Sequence, residues 1–308
     1  MLPESIDRRS EKQIAGWLLL CCALVLAMVV LGGVTRLTGS GLSMVDWQPL
    51  MGVIPPTSEA QWQTTFEKYQ QYPEYQKKNF HMDLSQFKVI FGFEYAHRLL
   101  GRTIGVVFLL PFLFFLLRRR VSRPLAPKLA TLFVLGGLQG LLGWFMVKSG
   151  LIDVPHVSQY RLTAHLMTAV LIYGAMLWVA FGLIDARARF SPVSAGFRRL
   201  LTAAFVLVCI TIASGGFVAG LKAGFAYNTF PLMAGKLVPD GLLASNPWWT
   251  SFFEDITTVQ FDHRVLALTT FSMVVAVWVT GMRTTLAPTL RLRLHLMLAA
   301  AMLQVTLG

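Results

Sequence analysis

The sequence has little charge for its length. Charged residues make up 14% of the 308 residues, and 55% are hydrophobic, whereas about a quarter of the residues in a soluble globular domain are charged. The mean hydropathy is +0.59. Because this composition is too apolar for a soluble domain of such a size, the sequence predicts an integral membrane protein.

Cysteine is also scarce, and its positions exclude most thiol chemistry. Cys21, Cys22 and Cys209 all lie within apolar runs, which leaves no CxxC zinc pattern and no loop disulfide. Proline and glycine, with 14 and 25 residues, are close to their average frequencies. Collagen-like and low-complexity structures are therefore excluded.

Targeting peptides of the cleaved kinds are absent from the start of the sequence. No small-residue cleavage site ends the first apolar run, and no acid-poor amphipathic transit peptide precedes it. We therefore expect a bacterial cytoplasmic (inner) membrane, with lipid as the surroundings. The formal net charge of +12 is dispersed between apolar runs rather than gathered on one solvated face, which excludes nucleic acid as a partner.

Six apolar runs reach the length of about 20 residues that a helix needs to cross a bilayer core. A seventh begins near Leu292 and continues to Gly308. Backbone groups in lipid must be hydrogen-bonded internally, so we predict an all-α bundle. The six full runs cover 14–34, 89–117, 129–147, 162–184, 200–221 and 259–280.

The distribution of Lys and Arg predicts the orientation of the spans. If the N-terminus is cytoplasmic, the inner side holds 15 of the 27 basic residues but only 4 of the 15 acids. This excess is the usual sign of the cytoplasmic side. The two long loops, 35–88 and 222–258, then lie outside. Their aromatic residues, among them Trp62, Tyr69 and Trp248, suit surfaces that rest at the membrane interface.

An internal repeat with an offset of about 165 to 184 residues divides the chain. Spans one and five end in glycine pairs at 32–33 and 215–216, followed by Pro-Leu-Met at 49–51 and 231–233. Spans two and six open with EYAHR at 94–98 and QFDHR at 260–264. We predict two parallel four-helix halves, 1–190 and 191–308, the second of which ends before its fourth helix.

Three histidines, His97, His165 and His263, are each predicted in the first turn or two of a span that starts on the outer side. Ionisable residues within a membrane usually face the bundle interior and carry function, although a single one can simply make an interhelical hydrogen bond. Imidazoles on facing helices can ligate haem iron. The sequence predicts one haem between His97 and His165 and another held by His263, whose partner would lie on an eighth span.

Arginines are predicted at the same depth as these histidines. Arg98 and Arg264 directly follow two of them, and Arg36 ends span one. The planar guanidinium suits the carboxylates of haem propionates. Interfacial anchoring explains any one arginine equally well.

One position distinguishes the two halves chemically. Glu94 shares a helix face with His97, whereas the matching residue of the second half is Gln260. A carboxylate in a partly apolar pocket can act as an acid or base, and its alternative role is a structural ion pair with Arg98 or Arg102. The asymmetry predicts chemistry in the first half and a resident electron-transfer haem in the second.

Taken together, the repeat, the Glu-x-x-His-Arg and Asp-His-Arg helix starts, His165 and the two glycine pairs resemble the haem A synthase family. The resemblance implies an eight-helix membrane oxidoreductase that oxidises the C8 methyl group of haem O to the formyl group of haem A, for use in cytochrome oxidase, through two successive hydroxylations. It implies that His97 and His165 bracket haem O, that Glu94 assists catalysis, and that His263 and a span-eight histidine hold haem B near the periplasmic side.

The resemblance also implies partners and leaves two rivals open. An electron donor would serve the haem B half, and haem O synthase, oxidase assembly factors and a second copy of the chain are candidate partners. The cysteine pair that some members carry in the first outer loop is absent here.

The rival functions are a quinol-linked dihaem b-type electron carrier that leaves its haems unmodified, and a transporter, which also uses parallel repeats. Glu94 argues against the first, and polar residues at one membrane edge argue against the second.

Overall fold

The computed structural model describes residues 3–46, 53–151, 156–185 and 193–308. Within these ranges the chain is helical, and its only extended pairing is an isolated bridge between Met233 and Lys236, which confirms the all-α prediction. The first Pro-Leu-Met triplet and the boundary predicted between 190 and 191 lie outside the described residues.

Seven of the described helices are long and apolar enough to cross a membrane, as predicted. They are α1 (Arg8–Leu37), α3 (Leu84–Leu117), α4 (Ala126–Gly150), α5 (Gln159–Ile184), α6 (Ala195–Leu221), α8 (Ile256–Met282) and α9 (Pro288–Leu307). The outer loops add α2 (Glu59–Gln70), a π-helical turn (Tyr75–Asn79), short 3-10 turns (Ala223–Phe225 and Trp248–Thr250) and α7 (Ser251–Glu254).

Several helices begin before the apolar runs because polar residues cap them. The Asp83 carboxylate accepts a hydrogen bond from the Gln86 N–H, and the Gln86 side chain accepts one from the Asp83 N–H. This capping box starts α3 in the outer loop. His97 therefore lies about four turns inside its helix, not in the first two, whereas His165 and His263 lie about two turns inside theirs.

The chain divides into two compact units, residues 1–161 with 168–187, and residues 162–167 with 188–308. In the first unit α1 packs against α3, and α3 against α4. The core of this unit lies toward the predicted cytoplasmic ends and joins four helices. Its members include Leu18 of α1, Phe112 of α3, Leu129 of α4 and Met176 of α5.

The first outer loop folds into an aromatic cap over the start of α3. We use "aromatic cap" for the cluster of Phe66, Tyr69, Phe87, Ile90 and Phe91. Tyr69 was expected at the membrane interface, but it is fully buried because its ring stacks on Phe87. Burial raises the pKa of the Tyr69 phenol, and the nearby charge of Glu74 raises it further, so its hydroxyl stays neutral. The cap holds the loop on the helix that carries Glu94 and His97.

In the second unit α6 packs against α8, and α8 against α9. Phe197, Ala204, Val277 and Leu294 form its core. Gly281 lets α9 approach, because a side chain there would collide with Leu294. The pairs α1–α3 and α6–α8 are thus the corresponding helix pairs of the predicted repeat.

Large apolar side chains cover much of the outside of the long helices. Leu117, Trp178 and Phe205 are each at least 65% exposed. Such surface is unfavourable in water and favourable against lipid. This exposure agrees with a membrane-spanning protein.

Candidate functional site

Glu94 is buried, with 3% of its surface exposed, and its carboxylate binds the turn that follows α1. Oε2 accepts hydrogen bonds from the Ser43 N–H at 2.7 Å, the Ser43 hydroxyl at 2.7 Å and the Met44 N–H at 2.8 Å. Oε1 is paired with Arg98 Nη2 at 2.5 Å. The ion pair with Arg98, which the sequence suggested as an alternative role for Glu94, therefore exists. The carboxylate also holds the loop that follows α1.

Arg98 completes this clamp from the next turn of α3. Its Nη2 also donates to the Met44 carbonyl oxygen at 2.9 Å. Arg98 and Arg102 line an open groove with Tyr95 and Lys68, between the first outer loop and α3. The first unit thus presents cationic side chains directly beside the Glu94 turn.

The second unit repeats the clamp with different chemistry. Arg264 Nη2 donates to the Tyr227 carbonyl oxygen at 2.9 Å, as Arg98 does to Met44, and Nη1 donates to the Thr229 carbonyl oxygen at 2.7 Å. Gln260 Nε2 donates to the same Tyr227 oxygen at 2.9 Å. Glu94 accepts from the loop, whereas Gln260 donates to it, so the substitution reverses the polarity of an otherwise matching contact.

Each of the two repeated histidines lies against the first glycine of a glycine pair. A β-carbon on Gly32 would approach His97 Nε2 to 3.2 Å, and one on Gly215 would approach His263 Cε1 to 3.1 Å. Any larger residue would press on the imidazole ring at either position. The two glycines therefore let each imidazole ring pack closely against a neighbouring helix, His97 against α1 and His263 against α6. We call each of these packing sites an imidazole cradle.

The two imidazoles differ in their hydrogen bonds. His263 Nδ1 is 2.8 Å from the Ser214 hydroxyl oxygen, and that hydroxyl is 2.8 Å from the Thr211 carbonyl oxygen. In the part of the chain that the structure describes, no side-chain hydrogen bond reaches His97. Both rings are half-buried.

His165 is half-buried on α5, in the short segment that belongs to the second unit. Nearby, Thr163 lies against Gly216, the second glycine of the pair on α6. A β-carbon at Gly216 would lie 2.7 Å from Thr163 Oγ1 and 3.1 Å from its Cα. The start of α5 therefore depends on a glycine that sequence analysis associated only with the repeat.

We expect Gly216→Ala to destabilise the protein by about 1–3 kcal/mol, because the new methyl group meets both the side chain and the backbone of Thr163. Gly33→Ala is the matched control, since a β-carbon at that position would have no described atom within 4 Å and alanine favours a helix by up to about 1 kcal/mol. Thermal unfolding in detergent measures both. Equal melting temperatures for the two variants would contradict this packing.

The remaining sequence-predicted residues are placed as follows. Arg36 is half-buried in the last turn of α1. His81 and His156 are exposed in the outer loops, as expected of solvated surface. His295 is exposed on α9, and its Nδ1 accepts a hydrogen bond from Trp278 Nε1 at 3.1 Å. These three histidines lie outside the two imidazole cradles.

The loop partners of Glu94 and Gln260, and Ser214, were not predicted from the sequence. Ser43, Met44 and Tyr227 act largely through backbone atoms, which residue type does not reveal. Ser214 directly precedes the second glycine pair, whereas Leu31 precedes the first, so comparing the two repeats at this position would have identified it. Within the described ranges, no group of three or more His, Cys, Asp or Glu side chains forms a site for a bare metal ion.

The chain is similar to known proteins over nearly its whole length. The profile of the COX15-CtaA family, described as cytochrome oxidase assembly protein, matches residues 15–308. A protein of Nitrosospira multiformis named "Heme A synthase" is 53% identical, over 100% of this chain and 87% of its own length. A protein of Nitrosomonas eutropha with the same name is 50% identical, over 97% of this chain and 85% of its own length. One of Parvibaculum lavamentivorans, also with that name, is 49% identical, over 89% of this chain and 79% of its own length. No solved structure matches significantly.

Proposed function

We propose that this chain, which belongs to the COX15-CtaA family of cytochrome oxidase assembly proteins, is a haem-modifying membrane oxidoreductase that converts haem O to haem A. The observation that carries the proposal is the repeated imidazole cradle, with a histidine against a glycine and an arginine-clamped loop beside it in each unit. A protein that handles two haems needs two such places.

It is a multi-pass protein of the bacterial inner membrane. For its orientation we propose a cytoplasmic N-terminus, supported by the excess of Lys and Arg on the side that would face inward. The outer loops, the clamps and the start of the histidine-bearing helices then belong to the periplasmic side, and haem would enter and leave there.

In the first half we propose that His97 ligates the iron of the substrate, haem O, and that His165 supplies the opposite ligand. The cradle at Gly32 supports His97, since the half-buried ring has no competing side-chain hydrogen bond among the described residues. Arg98, with Arg36, would bind the substrate carboxylates. Glu94 and Met44 hold the Arg98 guanidinium at the loop, and a planar guanidinium suits carboxylates.

Glu94 is proposed as the acid or base of the first half, acting beside His97 on the same helix face. Its carboxylate is already held by the turn after α1 and by Arg98. These hydrogen-bond partners hold the carboxylate in one position, so the surrounding groups need not rearrange during the reaction. Gln260 carries no charge, so the second half lacks this function.

In the second half we propose His263 as a ligand of resident haem B. The residues fit such a group: Gly215 lets the ring pack closely against α6, and Ser214 lies at Nδ1, which leaves Nε2 for iron. Arg264 would contribute positive charge near the propionates. Haem B, when bound, supplies one-electron transfer between an external donor and the first half.

For partners we propose an electron donor of the membrane, with haem O synthase, oxidase assembly factors and a second copy of the chain as further candidates. Haem O is nearly insoluble in water, because its porphyrin and isoprenoid tail are apolar. Direct transfer from the enzyme that makes haem O would avoid its release into water.

The test is the pigment made by the full-length protein. It is expressed in a bacterial host that has haem O synthase but no enzyme of its own for making haem A, and extracted haems are separated by chromatography. We expect haem A, together with haem B in the purified protein. Haem B with unmodified haem O alone would contradict the proposal and favour the dihaem electron carrier.

A further inference from the structure

The Ser214 hydroxyl makes two contacts that bear on the tautomer of His263. The Ser214 hydroxyl oxygen is 2.8 Å from the Thr211 carbonyl oxygen, which can only accept, and 2.8 Å from His263 Nδ1. A hydroxyl has one hydrogen. Both contacts are satisfied together only if Ser214 donates to Thr211 and accepts from a protonated Nδ1. The Nε2 atom of His263 then carries the free lone pair.

This is the form of histidine that iron requires. An axial imidazole binds iron through an unprotonated nitrogen, and a hydrogen bond from its other nitrogen fixes the ring's orientation and makes it a stronger donor. Gly215 adds a packing restraint, because the ring lies so close to α6 that a β-carbon at this position would be 3.1 Å from Cε1. His263 is therefore prepared for iron by one hydrogen bond and one packing contact.

Among the described residues, the first unit also packs a glycine on its imidazole, with the β-carbon position of Gly32 nearest Nε2 of His97, but no side-chain hydrogen bond reaches that ring. The glycine pairs are 183 residues apart, so Leu31 corresponds to Ser214. The polar surroundings of Ser214 are missing too: Thr211, whose hydroxyl lies 2.7 Å from that of Thr270, corresponds to Met28. With the offset of 166 residues between His97 and His263, Thr270 corresponds to Ile104.

We propose that Ser214 is a positioning residue that makes His263 a permanent haem ligand, and that Leu31 leaves His97 a weaker ligand from which product haem can dissociate. The inference rests on the proposed function, since it assigns one half to retention of a cofactor and the other to turnover of a substrate. An enzyme whose substrate and cofactor are both haems must distinguish them by exchange rate. This difference between the repeats supplies one means of doing so.

The experiment compares haem release from the full-length protein and three variants, with apomyoglobin added as the haem acceptor. Ser214→Ala is expected to raise the rate of haem B release by about tenfold or more, the usual cost of removing a hydrogen-bond partner of a ligating histidine. Ser214→Thr, which keeps the hydroxyl, should restore slow release. The midpoint potential of haem B should rise in Ser214→Ala, because a weaker donor stabilises ferric iron less.

Leu31→Ser tests the converse in the first half and does not depend on how Ser214→Ala folds. We expect slower release of haem A and more haem A bound after purification. The inference is overturned if Ser214→Ala releases haem B at the wild-type rate. It is also overturned if Ser214→Ala and Ser214→Thr have equal defects, or if Leu31→Ser leaves haem A release unchanged. If the wild-type protein binds haem B but makes no haem A, the proposed function fails, while the release rates of haem B still test Ser214.

Discussion

Replacing Glu94 with alanine is expected to reduce haem A formation about 100-fold or more, the lower part of the range for losing a general acid or base. The same change removes the acceptor of three hydrogen bonds from Ser43 and Met44 and the counterion of Arg98. Removing one partner of a buried ion pair costs about 3–5 kcal/mol. Both the extracted haems and the melting temperature should therefore change.

Two further variants separate chemistry from loss of structure. Glu94→Gln keeps the side-chain volume but removes the charge, and we expect it to lose haem A formation while it still binds haem O at a temperature where it stays folded. Gln260→Ala is the matched control in the second half, where one hydrogen bond to Tyr227 is lost. It should cost about 1 kcal/mol and still make haem A. Normal haem A formation by Glu94→Gln would remove Glu94 from the catalytic role.

His97→Ala and His263→Ala are expected to differ in their haem B content. His263→Ala should be purified with little haem B, because the ring that Ser214 and Gly215 position is gone, and without this electron-transfer haem it should form no haem A. His97→Ala should retain haem B but form no haem A. Reduced-minus-oxidised spectra and the extracted haems measure these effects, as loss of nearly all haem A in both variants and of nearly all haem B in His263→Ala alone.

His295→Ala provides the control for these two variants. Its imidazole is exposed on α9 and is bonded only to Trp278 in the described structure, so both pigments should remain at the wild-type level. If His97→Ala also lost haem B, or if His263→Ala kept it, the assignment of one haem to each half would be wrong.

Much of this protein follows from residue type and spacing. Seven spans could be predicted because a membrane helix requires a long apolar run, and the length of such a run is a local property of the chain. The repeat could be predicted because Gly, His and Arg recur at matching positions. Helix starts could not be predicted from hydropathy, because caps such as Asp83 are polar and extend α3 beyond the apolar segment.

The sequence alone determined that the chain has membrane-spanning helices and an internal repeat, and that Glu94 stands where the second repeat has Gln260. Only the tertiary structure decided what these side chains touch. Glu94 meets Ser43, which is 51 residues away, and His263 meets Ser214, 49 residues away. Contacts of this kind depend on how two helices and the loop between them pack, and neither hydropathy nor local periodicity contains that information. The hydrogen bonds of each imidazole are therefore decided by the packing of α1 against α3 and of α6 against α8.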